Sequence, residues 1–419
     1  MKKLLLFMCF VALLGACSEE ENGGTPSLID NKHTKIPVTA QETEMMENNC
    51  DFSFKLLKAV NANVGDDRIA FSPLSLSMSL SMLANGAKGE TCSEILSAIG
   101  YAGCSMSEIN SLNTKLLDSL SVIDKAVNVN LANSIWLNNG FEPKESYSNI
   151  LTGSYYADVC SRDFSKTSTL DEINRWCSTK TNGKVNELLT SLNPDSPMAL
   201  ANAIYFKAPW NVKFSETLSG KFTTVDNTLQ DVEFFKGKRF ARYYSHNKFT
   251  AVQLDYGNKA FSYTVVLPTE GVGIDECVKE LADGAWDVFA LSYIGYSNVT
   301  LTMPKYEVDF KISAETALKS LGIEKAFLEG ADLSGICDGS SLRVGDVVHA
   351  CSFKVDKDGT EAAAATAMSF SSVTSVIPSS LKVTGRPSSM QKLTILSSSS
   401  PSTFSRTSCV SVPKATFSP

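Results

Sequence analysis

Leu200-Ala201-Asn202-Ala203-Ile204-Tyr205-Phe206-Lys207 lies within Met198–Phe206, a nearly unbroken apolar run. A run of this kind reads as a central strand covered on both faces, because a strand with one wet face alternates instead. Partners for it lie on both sides in the sequence. Val127, Val129, Leu131, Asn133, Ile135 and Leu137 alternate with Asn128, Asn130, Ala132, Ser134 and Trp136, the period of a strand. Phe261–Leu267, Val299–Met303 and Val344–Val355 read as further strands. Ser72-Pro73 opens a helix, with a capping residue followed by proline at the first helical position. Leu74, Leu76, Met78, Leu80, Met82 and Leu83 cover most of its faces, so it is expected to be buried, and it is too short to span a bilayer. Thr169–Thr179 and Ile312–Ser320 read as helices. Composition does not break from Thr43 to Thr366 and no repeat occurs, so this span reads as one domain of mixed helices and strands.

Charge and residue usage remove several functions. Lys and Arg number 38 against 45 Asp and Glu, a net charge of −7, so a nucleic-acid partner is not expected. Only 3 histidines occur, too few for a His-rich metal centre, and no cofactor or metal is expected. His33 falls outside the domain, His246 sits in a polar stretch and reads as solvated, and His349 lies inside the Val344–Val355 strand. There is no G-x-S-x-G elbow, no His-Glu-x-x-His and no phosphate-loop glycine pattern. The chain does not read as an enzyme. None of the 11 cysteines forms a Cys-x-x-Cys pair, so most read as small buried hydrophobes.

The N-terminus reads as a targeting segment. Lys2 and Lys3 precede the apolar Leu4–Leu14, and Leu14-Gly15-Ala16-Cys17 then matches a bacterial lipoprotein signal. Residues 1–16 are expected to leave, with Cys17 acylated; the alternative is an ordinary secretory signal cut near Ala16. Residues 17–42 are polar and read as a flexible tether. The acidic Glu19-Glu20-Glu21 resembles export signals of surface-displayed lipoproteins. An outer-membrane lipoprotein at the cell surface or in the extracellular space is expected, with the periplasmic face as the alternative. Its only contact with the membrane is expected to be the lipid.

Ten blocks in order resemble the serpin family of protease inhibitors. They include Ile69-Ala70-Phe71-Ser72-Pro73, Leu83-Ala84-Asn85-Gly86-Ala87, Leu131-Ala132-Asn133-Ser134-Ile135-Trp136, Thr181-Asn182-Gly183-Lys184-Val185, Leu200–Lys207 with Trp210, Met303-Pro304-Lys305-Tyr306 and Val347-Val348-His349. The last is Gly359-Thr360-Glu361-Ala362-Ala363-Ala364-Ala365-Thr366, which is similar to the hinge of inhibitory serpins. The resemblance implies a single α+β domain with a large central sheet, further sheets, surrounding helices and an exposed reactive loop over 367–380. It implies a suicide substrate: a serine (or cysteine) protease attacks the loop, forms an acyl-enzyme, and is trapped when the cut loop inserts into the main sheet. It also implies that Ser72, Asn202 and His349 form a hydrogen-bonded shutter beneath the sheet.

The hinge meets the demands of insertion. Thr360, Ala362, Ala364, Thr366, Met368 and Phe370 form one small or apolar set. Glu361, Ala363, Ala365, Ala367, Ser369 and Ser371 form the other, small or polar. With a period of two, the first set is expected to face the core and the second solvent. Four alanines alone fit a helix or a linker as well. Counting along the loop from Gly359 as in the family puts the reactive bond at Val373–Thr374. A small branched side chain there suits the shallow pocket of an elastase-like protease, and no Lys or Arg occurs between Lys357 and Lys382 for a trypsin-like one to read. Phe370 is the competing position, for a chymotrypsin-like enzyme. A monomer is expected.

The chain departs from the family in two places. Lys357 stands two residues before Gly359, where many inhibitory members carry Glu. After the loop, the family's aromatic terminal strands are missing: 17 of the 53 residues from Ala367 to Pro419 are serine, and no Asp or Glu follows Glu361. Such a tail over 381–419 buries little apolar surface. The alternative reading is therefore a non-inhibitory or inactive protein of the same fold.

Overall fold

The computed structural model describes residues 36–63, 68–223, 228–285, 296–338 and 341–373. The first half is mainly helical: α1 Ala40–Asn63, α2 Pro73–Gly86, α3 Gly89–Ala98, α4 Met106–Leu120, then β1 Asn128–Asn138, α5 Glu145–Tyr155, β2 Asp158–Arg162 and α6 Thr167–Lys180. The second half is mainly strands: β3 Met198–Pro209, β4 Glu216–Thr223, β5 Leu229–Ser245, β6 Phe249–Asp255, β7 Ser262–Pro268, α7 Ile274–Glu280, β8 Tyr296–Pro304, β9 Tyr306–Ser313, α8 Glu315–Ser320, β10 Ser341–Val355 and β11 Gly359–Val373.

The strands form two sheets. The larger has the order β2-β1-β3-β11-β10-β9, and only the β1–β2 pair is parallel. The smaller runs β4-β5-β6-β7, with β8 paired to β5. As the apolar run requires, β3 is central, and every residue from Met198 to Phe206 is buried. Its inner side packs on α2, which is apolar nearly all round and buried from Ser75 to Gly86. On the outer side a second, smaller cluster joins Ala199, Ala201, Ala203 and Tyr205 to Ile173 and Cys177 of α6 and to Val185, Leu188 and Leu189 after it.

Helix starts follow local chemistry. At α4, Ser105 accepts the Glu108 N–H at 3.3 Å, and the Glu108 carboxylate accepts the Ser105 N–H at 2.8 Å, a reciprocal capping box. The same exchange between Thr39 and Glu42 starts α1. The tether expected over 17–42 therefore ends sooner. Ile36 is buried, and Glu42 is held by Lys115 at 2.6 Å inside the helical layer. Ile312 and Ser313 close β9 instead of opening a helix, because they pair with His349 and Val348 of β10. Cys177, Cys277 and Cys351 are buried, as a hydrophobe-like reading requires, and burial pushes their thiols up to about 12. No helix among the described residues is long and apolar enough to cross a membrane. The signal segment, Cys17, His33, Thr374 and the tail over 381–419 lie outside the described residues.

Candidate functional site: the strand between β3 and β10

The alanine-rich segment is a strand. From Gly359 to Ser369, β11 pairs antiparallel with β3, and from Thr360 to Val373 with β10. The exposed loop expected from residue 367 onward is thus corrected through Val373: Ala367, Met368 and Phe370 are buried in the main sheet. Strand pairing on both sides wins over alanine's helical preference because each N–H and C=O gains a partner in a dry setting. Burying Met368 and Phe370 adds about 1.5–3 kcal/mol each.

Turn chemistry sets the entry point. β10 passes into β11 through Asp356–Gly359, where the Asp356 carboxylate accepts the Asp358 N–H at 2.9 Å and the Gly359 N–H at 3.3 Å. Trp210 donates its backbone N–H to Asp358 O at 3.0 Å and its indole N–H to Asp356 O at 2.8 Å. Gly359 lies so close to β3 that a Cβ there would sit 2.1 Å from Ala208 O. Lys357, the departure from the family pattern, points outward and pairs with Asp358 at 2.9 Å.

Alternation places the first set as expected. Thr360, Ala362, Ala364, Thr366, Met368 and Phe370 are all buried. Thr360 bonds the hydroxyl of Tyr256, whose ring stacks on Trp210 at 4.7 Å. Burial holds the Tyr256 phenol far above its ordinary range, so it stays a neutral hydroxyl. At the far end the Ser196 hydroxyl bonds the Phe370 carbonyl. The second set needs correction. Ala363, Ala365 and Ala367 do not face solvent but are buried in the smaller apolar cluster with residues of α6 and of the segment after it, which is why both faces of the strand must be small. Only Glu361, Ser369 and Ser371 of that set keep partial exposure.

Beneath the strand runs one hydrogen-bond chain. His349 Nε2 accepts the Ser72 backbone N–H at 3.0 Å. An accepting Nε2 leaves the proton on Nδ1, which donates to Thr366 Oγ1 at 2.7 Å. Thr366 then donates to Ser75 Oγ at 2.9 Å, Ser75 donates to Asn202 Oδ1, and Asn202 Nδ2 donates to Asn133 Oδ1 at 2.8 Å. Asn133 ends the chain on Tyr155 O at 2.7 Å. Every member is fully buried, and burial pushes His349 down to about 3, so the ring is neutral. Unpaired, such groups would cost about 1–3 kcal/mol each.

The expected trio is therefore brought together in part. Asn202 and His349 belong to the chain, but Ser72 enters only by its backbone; its hydroxyl caps α2 by accepting the Ser75 N–H at 3.3 Å. Ser75 and Asn133 are members that the sequence reading missed. Burial on α2 did not single out Ser75, because Ser77, Ser79 and Ser81 are buried on the same helix and the Ser79 hydroxyl has no partner among the described residues. His246 is half-buried, not solvated, with its ring 4.8 Å from that of Phe249.

A family model described as serpin (serine protease inhibitor) matches residues 47–388. The chain belongs to the serpin family. Among relatives, Iripin-3 of Ixodes ricinus is 31% identical over 330 residues, covering 76% of this chain and 83% of the relative. Human serpin I2 is 29% identical, covering 76% and 81%. Among solved structures, the reactive-loop-cleaved form of human thyroxine binding globulin superposes with a TM-score of 0.74 at 28% identity, over 80% of this serpin and 100% of that chain. The latent state of tengpin, a thermophilic serpin, gives 0.71 at 29%, over 79% and 90%. The α+β serpin fold anticipated from the ten sequence blocks is thus this protein's fold. Serpins are typically protease inhibitors and not enzymes, although some do not inhibit.

Proposed function

We propose that this serpin is a suicide-substrate inhibitor of a serine protease, and that Gly359–Val373 is the segment that inserts. The observation that carries this reading is β11 itself: a strand small on both faces, fitted between β3 and β10. On this reading the described arrangement corresponds to the end of the inhibitory cycle. Before it, the segment stands outside the sheet and offers Val373–Thr374 to an elastase-like enzyme. Attack forms an ester between the protease serine and the Val373 carbonyl, and the Val373–Thr374 peptide bond breaks. Insertion then carries the acyl-linked protease along β11 before water cleaves the ester. The gain that drives the step is the double strand pairing and the buried Met368 and Phe370.

Thr360→Arg tests the mechanism. It sets a charge at the first buried position, beside Tyr256, and is expected to leave loop cleavage intact while abolishing the gel-stable protease complex. Undiminished complex would refute the hinge assignment. Mass spectrometry of the elastase digest locates the bond: a peptide beginning at Thr374 supports Val373, and one beginning at Ser371 moves it to Phe370. A monomeric inhibitor is tethered, in this proposal, to the outer membrane by lipid on Cys17. Cys17→Ala should then release the protein from the membrane fraction, and wild-type retention would exclude the anchor.

A further inference from the structure

Glu361 is the only charged residue in β11, and it is met on the outer face by three groups, two from β3 and one from the turn after α6. Lys207 stands opposite it on β3, with Nζ 3.7 Å from the carboxylate. Lys184 reaches it at 3.0 Å from the turn after α6. Tyr205 donates its hydroxyl at 2.7 Å. Glu361 is 17% exposed and Lys184 28%, so water screens that pair less than an ordinary surface pair, whereas Lys207, 61% exposed, is screened as a surface charge.

The turn that presents Lys184 is built for the purpose. It is the Thr181–Val185 block singled out in the sequence, whose residues have no part in the chain beneath the sheet. Asn182 (φ 52°) and Gly183 (φ 74°) both take left-handed backbone. The Thr181 hydroxyl pins the turn, donating to Cys177 O at 2.8 Å and accepting the Val185 N–H at 3.1 Å. Asn182 Nδ2 also donates to the Tyr205 hydroxyl at 3.3 Å, which orients it toward Glu361.

Register explains why such a device is needed. A one-residue slip would turn Glu361 into the core, a severe cost. A two-residue slip keeps the faces, and along Ala362–Ala365 it lays alanine where alanine was. On the outer face, two differences then mark the slipped strand, Ser369 exchanged with the apolar-packed Ala367 at the far end and Glu361 at the entry, and only Glu361 carries a charge. We infer that Lys184, Lys207 and Tyr205 form a socket that reads the carboxylate at the second inserting position and fixes the register of the strand. The inference rests on the reading that the segment inserts. Charge acts over a longer range than the hydroxyl contacts of Thr360 and Thr366, so the socket selects register before those bonds form.

Charge exchange tests it in the full chain. Compared are Glu361→Gln, Glu361→Lys, the Lys184→Glu/Lys207→Glu pair, and the triple variant that reverses all three charges. The first readout is amide exchange across Ala362–Ala367, which needs no protease; the second is the ratio of trapped to cleaved product with an elastase. Glu361→Lys and the lysine pair are expected to lose about tenfold in protection, and the triple variant to recover to within about threefold of wild type. A triple variant no better than its parents would overturn the socket, as would Glu361→Gln matching wild type in amide exchange. Failure of wild type to trap any protease would overturn the inhibitory function instead, and the exchange result would still decide the socket.

Discussion

His349 and Thr366 face each other across β10 and β11, with Nδ1 and Oγ1 2.7 Å apart and the two residues in register. The bond joins β11 to the imidazole that also holds the start of α2. Because Nε2 is occupied by the Ser72 N–H, a second proton cannot be added without breaking that contact.

This fixes the sign of a pH effect. The folded pKa of His349, about 3, lies below its unfolded value of 6.5. The unfolded chain therefore binds the proton first, and stability present above pH 6.5 is lost as pH falls toward 3. The loss is about 5 kcal/mol at its limit. His349→Gln keeps one acceptor and one donor but cannot titrate. Urea unfolding between pH 7 and 4 should show a shallower decline for the variant; parallel curves would remove His349 as the cause.

Ser75 and Ser72 should separate by stability. Ser75→Ala leaves Asn202 Oδ1 without its donor and the Thr366 O–H without its acceptor, and is expected to cost about 3 kcal/mol. Ser72→Ala removes a helix cap and is expected to cost about 1 kcal/mol. Denaturant midpoints of the two variants decide it, and the reverse order would return the central role to Ser72.

Tyr256 and Thr360 should behave as a coupled pair. Tyr256→Phe or Thr360→Val alone leaves one buried hydroxyl without its partner, at about 1–3 kcal/mol. The double variant should cost little more than either single one. Additive losses in a double-mutant cycle would show that the two hydroxyls do not depend on each other.

Gly359→Val should unseat the first turn of the strand. The added Cβ would meet Ala208 O at 2.1 Å, a backbone atom that cannot swing aside. Hydrogen exchange at Thr360–Ala362 is the measurement, and faster exchange is the expected outcome. Native protection there would mean that β3 yields.

Period and burial carried much of this architecture in plain view. Met198–Phe206 could only be a covered strand, and Ser72-Pro73 could only begin a helix that packs on all sides. Ile312 was misassigned because its partner in β10 is more than thirty residues away, and cross-strand pairing leaves no local trace. The outer alanines were assigned to solvent for a similar reason. Nothing in their own sequence reports that they are covered; that follows from the cluster they share with Ile173 and Cys177 of α6 and with Val185, Leu188 and Leu189 after it. Asn202 and His349 were legible because polar groups in apolar strands need partners. Which hydroxyl answers them depends on the rotation of α2, and a three-residue choice between Ser72 and Ser75 is settled only in space.

The Asp356–Gly359 turn has a consequence for how damage to this segment ranks. A strand tied to its neighbour by three residues can add pairs only outward from Gly359, one after the next. If the segment inserts as proposed, a side chain that jams at Thr360 leaves nearly the whole segment outside, whereas the same fault at Ser371 is met after most of the travel is complete. The harm done by a substitution should therefore fall with its distance from the turn. On the proposed function, the end near Val373 would meet the protease and tolerate substitution, while the end nearest the turn would not.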